Sequence, residues 1–291
     1  MKIPVGEKFF IIFNYTFFTI LCLMMLYPFW HVFMVSLSSP EEAIRGGIFL
    51  LPKNFTTSTY RSVFQSSSIY SGFFTTIIVT ITGAFFGTLI TALTAWPLSK
   101  NRLRGGKVIM FFVLFTMIFN AGMIPNFLLI KNMGLYDTRL ALILPLLVSA
   151  YNCIIMKSFF KSIPESMEES AKIDGANDAK IFFSIIIPLS KATIAAIALF
   201  TVVMYWNDYM STVIYIQSSA KWSLQAVLRS MLTNTQQAMQ NAGVNVRAQQ
   251  NMNAHTIKAA NIVVATLPIL MVYPFVQKYF VKGVMIGGVK G

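Results

Sequence analysis

Six long intervals that are almost free of charge constrain this chain more than any other feature. They are 9–40, 62–99, 108–130, 140–156, 192–220 and 259–277, and Asp208 is the single charged residue within them. An α-helix of about 20 residues crosses roughly 30 Å of hydrocarbon. A chain that is 56% hydrophobic and only 11% charged cannot provide the charged exterior of a soluble fold. The intervals predict an all-α membrane protein with six transmembrane helices, over about 9–35, 71–98, 108–130, 140–156, 189–216 and 259–279.

The basic residues predict which side of the membrane each loop occupies. Six spans place both termini on one side, and if that side is the cytoplasm, the inner segments hold 14 of the 23 lysines and arginines. Basic residues in short loops beside span ends mark the cytoplasmic side. We expect a multi-pass protein of the cell membrane with both termini cytoplasmic. The net charge of +13 is scattered over span ends rather than gathered on a soluble face, so nucleic acid is not an expected partner.

One polar stretch, residues 162–188, interrupts the membrane pattern. Ser162 and Glu165 stand three residues apart, the spacing of a capping box at the start of a helix. Gly175 comes where that helix should end, and a glycine there can adopt the left-handed conformation that closes a helix. Asn177 can cap a second helix, whose apolar run should stop at Pro188. The pattern predicts two short helices joined at a glycine and used for docking; an ordinary interhelical loop is the alternative.

The residues of this stretch carry a family resemblance. Glu169-Ser170-Ala171, then Gly175, Ile185 and Ile187-Pro188 keep every spacing of the EAA loop of ABC importer permeases, with Ser170 and Ile187 as mild departures. The stretches 119–125 and 282–291 and the pair Trp206-Asn207 also resemble carbohydrate-uptake permeases, especially a branch for complex or acidic oligosaccharides. The resemblance covers nearly the whole chain. It implies the type I permease fold as one transmembrane domain over 1–291, with a cytoplasmic coupling loop at 162–188 that contacts an ATPase.

The resemblance also implies partners and a mechanism. These are a second, homologous permease chain in a heterodimer, two cytoplasmic ATPase subunits that hold ATP and Mg, an extracytoplasmic solute-binding protein and an oligosaccharide substrate moved by alternating access. The chain itself is not expected to be an enzyme or to hold a cofactor or metal. Gly105-Gly106-Lys107 is followed by Val108, so the phosphate-binding loop Gly-x-x-x-x-Gly-Lys-Ser/Thr is missing.

Seven residues are candidates for a substrate cavity. A polar residue beside Gly and Pro within a span marks either a broken helix that lines a cavity or a simple kink, and the resemblance favours the cavity. An ionisable residue within a span faces either a partner helix or a water-filled cavity, and stacked aromatic rings suit a sugar. The candidates are Asn120, Asn152, Tyr205, Trp206, Asn207, Asp208 and Tyr209. With Thr212, three of these, Tyr205, Asp208 and Tyr209, should share one helical face.

Two other classes of membrane protein compete with the importer. A secondary transporter or channel driven by an ion gradient would need several ionisable residues within its spans, and Asp208 alone qualifies. A membrane-embedded enzyme would need a catalytic constellation. Only an ATP-driven importer gives the stretch 162–188 a role. Its substrate is expected to be acidic, because the outer segments hold the remaining nine bases against three acids, Glu41, Glu42 and Asp137.

Overall fold

A computed structural model describes residues 5–241 and 254–271, and all of the secondary structure in these ranges is helical. The described residues form two compact units. One comprises 5–67 with the described part of 228–267, and the other comprises 68–227 with 268–271. The prediction of a single domain stays a prediction. The tail 282–291, which carries part of the family resemblance, lies outside the described residues.

The helices follow the predicted apolar intervals. In chain order they are α1 (Val5–Ser36), α2 (Pro40–Arg45), α3 (Ser58–Phe64), α4 (Ser67–Ser99), α5 (Gly106–Ile118), α6 (Met123–Asn132), α7 (Leu140–Ile143), α8 (Ala150–Lys161), α9 (Glu165–Ile173), α10 (Asp178–Ile181), α11 (Ile187–Leu189), α12 (Lys191–Asn207), α13 (Met210–Tyr215), α14 (Leu224–Asn241) and α15 (Ala254–Met271). A π-helical turn, Phe182–Ile186, joins α10 to α11. Among the described residues, three helices are long and apolar enough to cross a membrane, and the number of spans rises to as many as six if each of three bent pairs is one span.

The bent pairs show where the spans are not straight. The α5–α6 pair bends by 116° and the pair formed by 140–146 and α8 bends by 50°. The docking helix 178–189 and α12 meet at 83°. The predicted continuous span over 189–216 is wrong, because α12 ends at Asn207 and Asp208 has an extended backbone (φ −74°, ψ 111°). Asp208 therefore lies in a break between two helices.

Small residues on α4 allow close helix packing. Gly83, Ala84, Gly87, Thr88 and Thr91 are all buried. A Cβ atom at Gly83 would lie 2.4 Å from the ring of Tyr205, a distance that no packed side chain tolerates. The stripe of small residues therefore positions α12 directly against α4.

A hydrophobic core joins the docking stretch to the spans. Its buried side chains come from α4, from α8, from Ile163 between α8 and α9, from α12 and from the helix 178–189: Ala92, Ala95, Leu98, Cys153, Met156, Phe160, Ile163, Ile181, Phe182, Ile186 and Ile197. Because packed interiors transmit displacement rather than absorb it, a force applied to 178–189 is passed to three spans.

Candidate functional site

The first docking helix is α9, and it begins later than its sequence suggests. The predicted capping box at Ser162 is wrong: Ser162 Oγ donates to the Phe159 carbonyl oxygen (2.7 Å) and closes α8 instead. Pro164 disfavours helical backbone at Ile163, so α8, which ends at Lys161, does not continue into α9, which starts at Glu165. Ser162 thus belongs to the end of α8 and not to the start of α9.

Gly175 closes α9 in the predicted left-handed conformation, with φ +78°. The N–H of Ala176 donates to the carbonyl of Ala171 (2.9 Å), and the N–H of Gly175 donates to that of Lys172 (3.0 Å). These two bonds form a Schellman motif, which fixes the direction in which the chain leaves the helix. The space beside Gly175 is open to a Cβ, so the requirement for glycine comes from the backbone and not from crowding.

The second docking helix starts at the predicted cap. Asn177 Oδ1 accepts the N–H of Lys180 (2.8 Å), and Lys172 pairs with Asp178 across the glycine (3.1 Å). The prediction that Pro188 stops this helix is wrong, because the helix runs on to Leu189. In the π turn, Ile187 N–H bonds back to Phe182, one residue further than usual, and this shift accommodates the missing N–H of Pro188.

A buried ion pair that sequence reasoning missed anchors α9. Glu168 is only 4% exposed, and its Oε1 accepts from Lys100 Nζ just beyond the end of α4 and from Trp96 Nε1 (3.2 Å). No local pattern could reveal this pair, since 68 residues separate its partners. The pair connects the first docking helix directly to the second predicted span.

The motif residues divide between an inner and an outer side of the docking stretch. Ala171 and Ile185 are half-buried, and Ala171 packs on the core described above. Glu169, Ser170 and Pro188 are exposed. Next to them Ile173 is 86% exposed, a large apolar side chain that the described residues leave uncovered. The stretch thus has a fixed inner side and an outer side that can contact another protein.

Three of the cavity candidates lie in the packing between helices of this chain. Tyr205 is 2% exposed, and its hydroxyl donates to the Ile143 carbonyl (2.7 Å). Trp206 is also buried and meets Phe73 edge to face, with ring centroids 5.9 Å apart. Asn152 is buried, and its Nδ2 donates to Thr201 Oγ1 (3.4 Å). Their role in a substrate site stays a prediction.

The other four candidates lie at helix breaks. Asn120 and Asn207 are exposed, and Asp208 and Tyr209 are half-buried. Asn120 Oδ1 accepts the N–H of Gly122 (2.9 Å), which has φ +89° in the 116° turn between α5 and α6. Asp208 Oδ1 accepts the N–H of Ser211 (3.2 Å) at the start of α13. The predicted shared helical face is wrong because the helix stops before Asp208.

A second missed cluster surrounds Asp137. Its Oδ1 accepts the N–H groups of Gln217 (3.1 Å) and Ser218 (2.9 Å), and its Oδ2 accepts Ser218 Oγ (2.6 Å) and Lys221 Nζ (2.9 Å). The bonds from Ser218, with those from Lys221, hold the pKa of the Asp137 carboxyl far below its ordinary value. This ionised carboxylate ties the turn after α6 to the segment after α13.

Comparison with known proteins identifies the family. Residues 87–286 match the model of the binding-protein-dependent transport system inner membrane component. The chain belongs to this family. It is therefore the permease subunit of an ABC importer, an inner-membrane transport component that works with a binding protein, and the predicted family and fold are confirmed.

Two relatives and a solved structure agree with this assignment. The chain is 44% identical to the polygalacturonan/rhamnogalacturonan transport system permease protein YtcP of Bacillus subtilis, over 95% of this chain and 96% of that protein. It is 43% identical to Protein LplC of the same organism, over 91% and 89% of the two chains. A bacterial ABC transporter involved in the import of the acidic polysaccharide alginate matches with a TM-score of 0.82 and 34% identity, over 96% of this chain and 99% of that one.

Proposed function

We propose that this permease imports acidic oligosaccharides, with uronic acid residues as the recognised units. The observation that carries the proposal is the 44% identity with a permease named for polygalacturonan and rhamnogalacturonan. The structural relative named for alginate supports it, since galacturonans and alginate both consist of sugars that bear carboxylates. The neutral oligosaccharide importer is the nearest alternative.

Charge on the proposed outer side supports an anionic substrate. Two of the three acids there are already paired: Glu42 with Arg45 (2.7 Å) and Asp137 with Lys221 (2.9 Å). The remaining bases outnumber Glu41, so the net charge of these segments is positive. A positive surface raises the local concentration of an anionic ligand and speeds its association.

The energy for transport comes from two cytoplasmic ATPase subunits that bind ATP and Mg. Their proposed contact is the exposed side of the docking stretch, around Glu169, Ser170 and Ile173. When the ATPase dimer closes, the docking helices move as one rigid piece, because the Schellman motif, the Glu168–Lys100 pair and the core hold them together. A second permease chain completes the pathway, and alternating access moves the sugar.

Uptake into vesicles tests the choice of substrate. The complex is reconstituted with its binding protein and ATP, and given labelled trigalacturonate or the same trisaccharide as its methyl ester. The ester keeps the shape and removes the charge. We expect the acid to be taken up about tenfold faster than the ester, because the ester cannot form the charged hydrogen bonds that the carboxylates form. Equal uptake of both sugars, or uptake of the ester alone, would contradict an acidic substrate.

A further inference from the structure

A groove of about 360 Å³ lies where the start of α5 packs beside the end of α8. Besides Lys100 at its edge, three lysines line it: Lys107 in the first turn of α5, and Lys157 and Lys161 near the end of α8. They belong neither to the docking stretch nor to the cavity candidates. The transport mechanism proposed above gives them no role.

The charges of these lysines are not compensated by the part of the chain that the structure describes. None of the three amines forms an ion pair or a side-chain hydrogen bond there, and no acidic residue lines the groove. Lys157 and Lys161 are four residues apart on one face of α8, where like charges repel. Lys100, at the edge of the same groove, is by contrast already paired with Glu168. An anion between the three lysines would relieve their repulsion.

The other wall of the groove is apolar. Met110, Phe111 and Leu114 follow Lys107 along α5, and Phe111 and Leu114 are 62% and 43% exposed. At 1.5 Å per residue, Leu114 lies about 10 Å further along the helix axis than Lys107. The groove thus changes from cationic to hydrocarbon-like over the depth of a lipid headgroup. A small soluble anion would leave the apolar half uncovered.

We propose that this groove binds an anionic phospholipid, with its phosphate among Lys107, Lys157 and Lys161 and an acyl chain along Met110, Phe111 and Leu114. Basic pockets between membrane helices on the cytoplasmic side suit such headgroups. The proposal rests on the proposed function only for the choice of the cytoplasmic leaflet, because Lys100, which lines the groove, pairs with Glu168 of the docking stretch. Binding of the lipid can be measured without transport, so the two proposals fail independently.

Lipid competition on the purified intact complex tests the site. The complex is equilibrated with mixed micelles of phosphatidylglycerol and phosphatidylcholine, and native mass spectrometry counts the retained lipids. Wild type should prefer phosphatidylglycerol. The variant Lys107→Gln/Lys157→Gln/Lys161→Gln should lose about tenfold or more of this preference. The control Lys8→Gln/Lys131→Gln/Lys258→Gln removes three exposed lysines outside the groove and should keep it.

Several results would overturn the proposal. One is an equal preference in the groove variant and the control. Another is displacement of the retained lipid by millimolar glycerol phosphate, which would make the ligand a soluble anion. A third is a cross-link from Lys161→Cys to a partner chain in the assembled complex, which would make the groove a protein contact. If the glutamine variant does not assemble, the triple Lys→Arg variant is measured instead, and it must keep the preference for phosphatidylglycerol. A wild-type complex that shows no preference for phosphatidylglycerol would also contradict the proposal.

Discussion

At the scale of single residues, the buried pair of Glu168 and Lys100 should affect both the stability of the protein and its transport. Their side chains are 5% and 11% exposed, so each depends on the other for its counter-charge. Removing one partner of a buried pair leaves an uncompensated charge and destabilises a protein by about 3–5 kcal/mol. The pair also joins α9 to the end of α4, so its loss should lower the rate of transport as well as the stability of the protein.

Glu168→Gln is therefore expected to lower both the thermal stability of the purified complex and its ATP-driven uptake. Glu165→Gln is the control, since Glu165 is an exposed carboxylate of the same helix. The double variant Lys100→Met/Glu168→Leu removes both charges and should recover most of the stability. Both single variants are compared by heat-induced loss of the complex and by uptake. If Glu168→Gln behaves like Glu165→Gln, the ion pair contributes neither to stability nor to transport.

The sequence predicts contacts between residues that are a few positions apart, but it does not predict contacts between residues that are far apart along the chain. The conformation of Gly175 and the cap at Asn177 depend on neighbours within five residues, and both were predictable. The partners of Glu168 and Asp137 lie 68 and about 80 residues away, and only the packed fold brings them together. Asp137 is one of the three acids predicted for the outer segments, and in the structure its carboxylate accepts hydrogen bonds from Gln217, Ser218 and Lys221.

At the scale of helices, hydropathy predicts how many spans there are but not their direction. The interval 108–130 contains no charge across the 116° turn, so its apolar pattern continues through a break. Asn120 and Gly122 were the available signal, and Gly122 does adopt the positive φ that the turn requires. The end of α12 at Asn207 gave no such signal, because neither proline nor glycine stands there.

The break at Asp208 makes the cavity prediction testable. Asp208→Asn keeps a side-chain oxygen for the Ser211 N–H, so α13 should still begin correctly. If the carboxylate binds sugar hydroxyls, the apparent affinity for the substrate should fall by roughly tenfold, about 1.5 kcal/mol for one charged hydrogen bond. Asp208→Ala removes both the cap of α13 and the proposed contact with the sugar, so it should lower the affinity and the yield of the complex further. Uptake kinetics and the yield of the complex are measured together, and loss of the assembled complex in Asp208→Asn would make the residue structural.

At the scale of the whole molecule, the orientation of the chain in the membrane is a prediction from basic residues alone. In a variant without Cys22 and Cys153, single cysteines at Asn101 and Ala179 should react with an impermeant reagent only from the cytoplasmic side. Cysteines at Gln65 and Ser219 should react only from outside. All four positions are exposed, so burial does not limit the reaction. Labelling of Ala179→Cys from outside would reverse the orientation.

The central claim is that the docking stretch passes ATP-driven motion to the spans, and the ratio of sugar imported to ATP hydrolysed tests it most directly. In Gly175→Asp, a side chain at φ +78° costs on the order of 1 kcal/mol and misdirects the second docking helix. Gly134→Asp is the matched control, since Gly134 has φ +70° and equally open space in the turn after α6. In vesicles, we predict that Gly175→Asp hydrolyses ATP but imports little sugar, while Gly134→Asp keeps nearly the wild-type ratio. A wild-type ratio in Gly175→Asp, or an equal loss in Gly134→Asp, would contradict this account.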